Sequence, residues 1–249
     1  MKVSIITSTF NSEKFLQATI DSISQQTYRN IEHIIIDGAS TDNTLNIIKE
    51  NNSKIAKWVS EPDGGTYFAL NKGLKIASGD IIGFLHSDDL FGGEYSIQQV
   101  VDTFVSTRCD VVYGDLVYVH AENPERIIRY WKSRDFRHSI LKKGWMPPHP
   151  TMFMSAQVIR GTFFNTSYKI SADYEFILRL LKFKSLKINY VPEILIKMRL
   201  GGISNRSFKN IIEKSREDYR SLVGEKMKFP LLILFLKNIR KLVQFVTFL

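Results

Sequence analysis

Cysteine is almost absent from the 249-residue chain, where Cys109 stands alone. A lone thiol closes no intrachain disulfide and builds no cysteine metal site, so a reducing, cytosolic setting is expected. Long apolar runs are also missing. The opening run, residues 3–6, is far too short for a secretory signal, and no small-residue cleavage site follows it. The tail has two apolar stretches, 229–236 and 242–249. Neither reaches the roughly 20 residues that a spanning helix needs. There is no internal repeat and no low-complexity linker. Asn51, Asn165 and Asn205 each begin a glycosylation sequon, which carries no meaning in a cytosolic protein.

What remains is ordinary globular material. Hydrophobic residues make up 44% and charged residues 24%, which excludes a long disordered polymer and supplies a core for one domain or two closely joined halves. The net charge is +9, but the excess is uneven. Acids are scattered through the N-terminal half, whereas Lys and Arg dominate the tail beside bulky apolar residues. That distribution points to a local surface device and away from a nucleic-acid partner.

Hydrophobic periodicity gives an alternation of strands and helices. Residues 3–7, 31–36, 55–59 and 81–85 read as strands. Residues 13–26, 41–48 and 67–77 read as helices, with Asn11 or Ser12 capping the first and Thr41 or Asp42 opening the second. Such alternation predicts an α/β fold with a largely parallel sheet. Ligands bind outside the carboxyl ends of the strands in these sheets. Three polar clusters fall there: Thr9-Phe10-Asn11, Asp37-Gly38-Ala39-Ser40 and His86-Ser87-Asp88-Asp89. Beyond residue 90 the pattern weakens. Residues 110–119 suit one long strand or a pair, 123–143 are basic and aromatic, 146–150 form a proline-rich loop, and 173–181 form a helix.

Each cluster has a chemical and a plain reading. Adjacent carboxylates at a strand end repel unless a cation shares their charge. Asp88 and Asp89 therefore suit Mg2+ or Mn2+, which takes one or two protein carboxylates plus phosphate oxygens; alone, a solvated turn explains the doublet better. Asp37 suits a base N–H or a ribose hydroxyl, or merely an Asp-Gly turn. Gly64-Gly65 before a helix would let a diphosphate approach backbone amides. Lys72 suits phosphate or solvent. Asp173 suits a general base or a helix N-terminal acid. His149, between prolines, suits an acceptor, a phosphate or a structural role equally.

Taken in order, these segments carry more than their sum. Thr9-Phe10-Asn11, residues 37–44, Glu61-Pro62-Asp63-Gly64-Gly65, Asn71-Lys72-Gly73, Gly79-Asp80 and Ser87-Asp88-Asp89 resemble family 2 glycosyltransferases. The likeness resumes at residues 148–151, Ala172-Asp173-Tyr174-Glu175 and 201–204. The resemblance implies a GT-A fold, Rossmann-like with a mostly parallel central sheet flanked by helices, and an inverting reaction. It divides the chain into a donor half (1–115), an acceptor and catalytic-base half (116–210) and a basic amphipathic helical tail (211–249). Thr9 and Asp37 would hold the nucleoside, with Asp63 and Lys72 near ribose or diphosphate and Asn11 and His149 at the substrate. Asp88 and Asp89 match the metal motif, and Asp173 the general base. Two departures stand out: His86 replaces an Asp or Asn, and Ala172 replaces a Glu.

The expected activity is transfer of a sugar from a nucleotide-diphosphate sugar, a UDP-sugar above others, to a glycan or lipid-linked acceptor in bacterial surface-polysaccharide synthesis. The competing readings are a sugar nucleotidyltransferase and a non-catalytic binding module. The first lacks its Gly-rich loop with Arg and Lys, since Thr9-Phe10-Asn11-Ser12 stands in that place. In the tail, Ile239, Leu242, Val243, Val246 and Leu249 share helical spacing, with Lys237, Arg240, Lys241 and Gln244 on another side. That suits a helix on an anionic bilayer, and hence a peripheral protein on the inner face of the cell membrane. A helix packed on the domain or on a second subunit is the alternative, and a homo-oligomer stays open.

Overall fold

The computed structural model describes residues 1–200 and 208–246. The 201–204 motif, the 205–207 sequon and the tail side chains beyond 240 lie outside the described residues. The first half alternates as expected: β1 (Val3–Thr9), α1 (Leu16–Ser24), β2 (Ile31–Asp37), α2 (Thr44–Glu50), β3 (Lys57–Ser60), α3 (Thr66–Ile76) and β4 (Ile81–Phe84). Then come β5 (Leu90–Phe91), α4 (Ser96–Thr107), β6 (Val111–Val119), β7 (Ile127–Trp131), α5 (His138–Leu141), β8 (Phe153–Ser155), α6 (Ala156–Ile159), α7 (Ala172–Leu181), β9 (Ile188–Arg199), α8 (Phe208–Gly224) and α9 (Pro230–Val246).

The nine strands among the described residues join one sheet in the order β3-β2-β1-β4-β8-β6-β9-β5, with β7 alongside β6. The β3-β2-β1-β4 half is parallel. The rest is mixed: β8 is antiparallel to β4 and β6, β9 runs parallel to β6, and β5 closes the edge antiparallel to β9. Residues 110–119 thus make one strand, and the basic stretch after them contains β7 and α5.

β1 is buried along its whole length because helices cover both faces of the sheet. On one face, Ile6, Ile34 and Ile36 meet Leu70 of α3 and Phe176 and Ile177 of α7. On the other, Val3 and Ile5 join Ile23 of α1 and Val100 and Phe104 of α4. Close approach explains the glycine of the Asn71-Lys72-Gly73 motif. A Cβ on Gly73 would lie 2.3 Å from Ile6 Cγ2, so α3 sits directly on β1. Cys109 is buried, and burial raises its thiol pKa.

The buried strands also carry polar groups. Glu32 is 2% exposed and accepts hydrogen bonds from Ser4 Oγ (2.6 Å), Ser78 N (2.8 Å) and Lys2 Nζ (2.9 Å). Burial alone would raise its pKa, but these donors prevail and hold it well below the usual carboxylate range. His33 Nε2 lies 3.0 Å from Thr7 Oγ1, and burial pushes its pKa down to about 3. The sign of both effects is the same. The unfolded chain takes up protons at His33 below about pH 6.5, and at Glu32 in the carboxylate range, that the native state refuses. Urea midpoints should therefore fall steadily as pH drops from 6.5 toward 4. His33→Asn should flatten that slope by about 1.4 kcal/mol per pH unit, the value for one proton. An unchanged slope in the variant would show that His33 is not the group responsible.

Candidate active site

The parallel register sets Thr9, Asp37 and Ser60 side by side at the ends of β1, β2 and β3. Asp37 is fully buried, and its carboxylate is largely spoken for. It accepts from Ser40 Oγ (2.5 Å), Ser40 N (3.1 Å) and Ser60 Oγ (2.6 Å). Beside it, Thr9 Oγ1 is buried and, among the described residues, lacks a hydrogen-bond partner. An unpaired buried hydroxyl costs stability, so it is a natural place for a ligand polar atom.

Asn11 does something other than cap α1. Its φ is +47°, its amide N donates to Ser40 Oγ (2.8 Å), and its Oδ1 accepts from Thr41 N (2.9 Å). Ser12 N donates to Thr44 Oγ1 (2.7 Å), Glu13 N to Asp42 Oδ2 (3.1 Å), and Asn43 N to Glu13 Oε2 (2.9 Å). The 11–13 and 40–44 loops are thereby laced together, which accounts for most of the polar residues in both motifs. Asp63 reaches the same end: its Oδ1 accepts from Gly65 N (2.8 Å), and a Cβ on Gly38 would lie 3.4 Å from that oxygen. Lys72 is paired with Glu61 (2.8 Å) and stands 3.9 Å from Asp63.

The acidic motif follows β4. Ser8 Oγ is 3.3 Å from His86 Nδ1, and Ser12 Oγ is 2.8 Å from Ser87 Oγ, so the motif rests on the end of β1. The two aspartates are unlike. Asp89 is fully buried; Oδ1 accepts the backbone N–H of Arg199 (3.2 Å), while Oδ2 has no partner among the described residues. Burial, then the neighbouring Asp88 charge, pushes its pKa well above the carboxylate range, against a smaller opposing pull from Arg199. Asp88 is half-buried, and its carbonyl accepts from the Arg199 guanidinium (2.8 Å). A buried oxygen without a partner beside a second carboxylate fits a divalent cation. No three metal-binding side chains of the described residues converge, so a cation here would draw its other ligands from substrate and water.

Asp173 opens α7 and is also half-buried. Its Oδ1 accepts from its neighbour Tyr174 N (2.8 Å) and from Tyr67 Oη (3.3 Å), which also donates to Ile170 O (2.7 Å). His149 lies beside His86 and feels the Asp173 charge. Its ring stacks on Phe84 (5.5 Å), meets Phe164 edge-on (5.7 Å) and stands 6.2 Å from the His86 ring. Burial lowers the His149 pKa to about 4, partly offset by the Asp173 charge, and its buried Nε2 has no partner among the described residues. Asp88 and Asp173 both act electrostatically on His86, whose pKa burial nevertheless lowers. The Asp173 charge is therefore felt at both histidines, and that of Asp88 at His86.

Three supporting residues escape a reading by motif role. Asn71 clamps Phe164, donating to its carbonyl (2.9 Å) and accepting its N–H (2.8 Å). Arg199 ties β9 to the acidic motif and lies over the Phe15 ring. Glu217 of α8 accepts three consecutive backbone N–H groups, from Lys169 (2.6 Å), Ile170 (2.9 Å) and Ser171 (2.8 Å). Only the helical position of Glu217 was visible in sequence; its partners lie some fifty residues away.

A half-parallel, half-mixed sheet with these motifs at its strand ends has the architecture of a GT-A glycosyltransferase. Residues 4–165 match the model of glycosyl transferase family 2, and the chain belongs to that family. An uncharacterized glycosyltransferase of Mycobacterium tuberculosis is 35% identical over 183 residues, 71% of this chain and 68% of that protein. A PGL/p-HBAD biosynthesis glycosyltransferase of Mycobacterium bovis is 30% identical over 213 residues, 81% and 78% of the two chains. Among solved structures, S. aureus TarS 1–349 in complex with UDP-GlcNAc superposes with a TM-score of 0.69 at 19% identity, over 94% of this chain and 70% of that one. The chain spans 40% of the longer TarS structure. The mannosyltransferase PcManGT from Pyrobaculum calidifontis, in complex with GDP-Man and Mn2+, gives a TM-score of 0.66 at 19% identity, over 95% and 68%.

The Glu217 clamp yields a prediction. Removing its carboxylate in Glu217→Ala frees three amides at the segment that carries Asp173. Sugar turnover at saturating donor should fall about tenfold or more while donor KM stays near wild type. Glu217→Gln, which retains one acceptor oxygen, should recover part of the loss. Equal loss of donor affinity in both variants would place Glu217 in overall folding instead.

Proposed function

We propose that the chain is an inverting glycosyltransferase that moves a hexosyl or N-acetylhexosaminyl group from a UDP-sugar to a hydroxyl of a glycan or lipid-linked acceptor in bacterial cell-surface polysaccharide synthesis. The observation that carries this reading is the carboxylate pair at the end of β4, where Asp89 keeps a buried oxygen without a partner among the described residues, with Asp173 close enough to act electrostatically on both His86 and His149. UDP-GlcNAc in the TarS complex and the PGL/p-HBAD relative support the choice of donor and of a surface glycan. Residues 1–115 would serve the donor, 116–210 the acceptor and base, and 211–249 a contact with the inner face of the cytoplasmic membrane.

In this scheme Thr9 and Asp37 hold the nucleoside, Thr9 through its unpaired hydroxyl. Asn11 acts at one remove, by fixing the loop that carries Ser40. Asp63 and Lys72 border the ribose and diphosphate. Asp88 and Asp89 would hold Mn2+ or Mg2+, as the Mn2+ bound to PcManGT also suggests. Such an ion supplies Lewis-acid stabilisation of the departing diphosphate. Asp173 takes the proton from the acceptor hydroxyl, whose oxygen bonds to the anomeric carbon as the bond to diphosphate breaks on the opposite face. The configuration therefore inverts. Tyr67 aims Asp173, and His149 lends its unpaired Nε2 to a substrate oxygen.

Two experiments test this. Asp173→Asn should retain UDP-sugar affinity and lose about 10²-fold or more in turnover, the scale of a missing general base. Normal turnover with poor donor affinity would move Asp173 to the donor site. For the metal, Mn2+ with UDP-GlcNAc should raise the melting temperature of the native protein but leave Asp88→Asn unchanged. A metal-dependent rise that persists in Asp88→Asn and in Asp89→Asn would remove both from the metal site.

A further inference from the structure

The α9 helix is mounted inside out. Lys237 is 8% exposed and pairs with Asp218 of α8 (2.7 Å), its ammonium lying over the Tyr174 ring. Burial lowers the lysine's pKa, and Asp218 pulls it back. Ile233 is buried on the same side, and Arg240 Nε donates to Lys143 O (3.0 Å). A Cβ on Gly144 would lie 2.5 Å from Ile233 O and Lys237 N, so the helix is seated against the 143–144 backbone. The outward side is mostly apolar, with Asn238 its exposed polar residue. Leu231, Leu232, Phe235 and Ile239 are 69%, 54%, 61% and 41% exposed, and Phe229 just before them is 74% exposed. Positions 231, 232, 235 and 239 recur at helical spacing, so they form one stripe. The cation expected on a solvated face is the very group that anchors the helix to the domain.

Charge decides what covers this stripe. The acids of α8 are engaged: Glu213 faces Arg216, Glu217 holds backbone amides, and Asp218 holds Lys237. Glu225, in the turn before α9, is paired with Lys182. Exposed Lys226 and Lys228 lead into the stripe, and exposed Lys142 and Lys143 lie beside its seat. Among the described residues no carboxylate pairs with these four lysines. A second copy would bring the same cations against them, and the whole chain already carries +9. An anionic bilayer meets both requirements, with apolar side chains entering the acyl boundary and lysines at the headgroups.

We infer that the outward apolar stripe of α9, rather than its basic side, is a membrane-docking surface for anionic lipid. The inference rests on the lipid-linked acceptor proposed above and adds the face by which the enzyme approaches it. Through α8 the docked helix is joined to Glu217, and so to the segment bearing Asp173. No helix among the described residues is long and apolar enough to cross a membrane, which fits surface docking.

Truncating the tail is a poor test, since it would leave Asp218 buried and unpaired. Exposed side chains give a cleaner one. The full-length protein should float with vesicles of phosphatidylcholine containing about one-third phosphatidylglycerol, and should be released at high salt. Leu232→Glu combined with Phe235→Glu should reduce the bound fraction about tenfold or more, with melting temperature and UDP-sugar binding unchanged. Lys142→Glu with Lys143→Glu should weaken binding to the anionic vesicles. Absence of flotation would overturn the inference, as would self-association in sedimentation that the Leu232/Phe235 variant abolishes, because a second copy would then own the stripe. Flotation needs no turnover, so these outcomes stand apart from the fate of the transferase assignment.

Discussion

The parallel register of β1 and β2 is the constraint on which the rest depends. Pairing Thr9 with Asp37, and Asp37 with Ser60, puts three polar residues at one level at the end of strands rich in isoleucine. A one-residue slip would turn every side chain of a strand to the other face. That slip is opposed from both ends. At the start of the strands, Glu32 gathers Lys2, Ser4 and Ser78. At their finish, Asn11, Ser12 and Glu13 exchange hydrogen bonds with residues 40–44. β4 joins the same register through Ile6 and Phe84, which delivers the acidic motif to the site.

The first ninety residues were largely legible because their strands are short buried runs separated by amphipathic helices. The observed boundaries fall within a few residues of those read from periodicity. What the sequence obscured has physical reasons. β8 is three residues long, and β9 mixes half-buried polar and apolar side chains because only part of it lies under helices. β7 lies in a basic stretch that resembles a loop. The α4 helix does carry a sequence signal, since Ile97, Val100, Val101 and Phe104 have helical spacing. In the tail, spacing located a helix with an apolar and a basic side, but not that Lys237 turns inward. Lys237 is stabilised by a buried Asp218 on another helix, and such a partner leaves no trace in local sequence.

The site shows the same division. Motif order brought together Asp37, the acidic pair and Asp173; in the structure Asp88 and Asp173 both act electrostatically on His86, while Asp37 is held by Ser40 and Ser60. It could not tell Asp88 from Asp89, whose difference comes from burial and from Arg199, more than a hundred residues away. Nor could it separate Asn11 as a loop fastener from Asn11 as a ligand contact. His149 is the converse case: two prolines suggested a fixed loop, and packing between Phe84 and Phe164 explains the fixation. The orphaned Nε2 emerges only in three dimensions.

The burial of Cys109 has a practical side. Its thiol is enclosed beside the β6 strand, and burial raises its pKa, which disfavours the thiolate with which maleimides and spin-label reagents react. A cysteine introduced at an exposed position would be labelled almost alone. Distances between the two halves of the sheet, or the depth of a tail residue in a bilayer, are then open to fluorescence and electron paramagnetic resonance without first removing the native thiol.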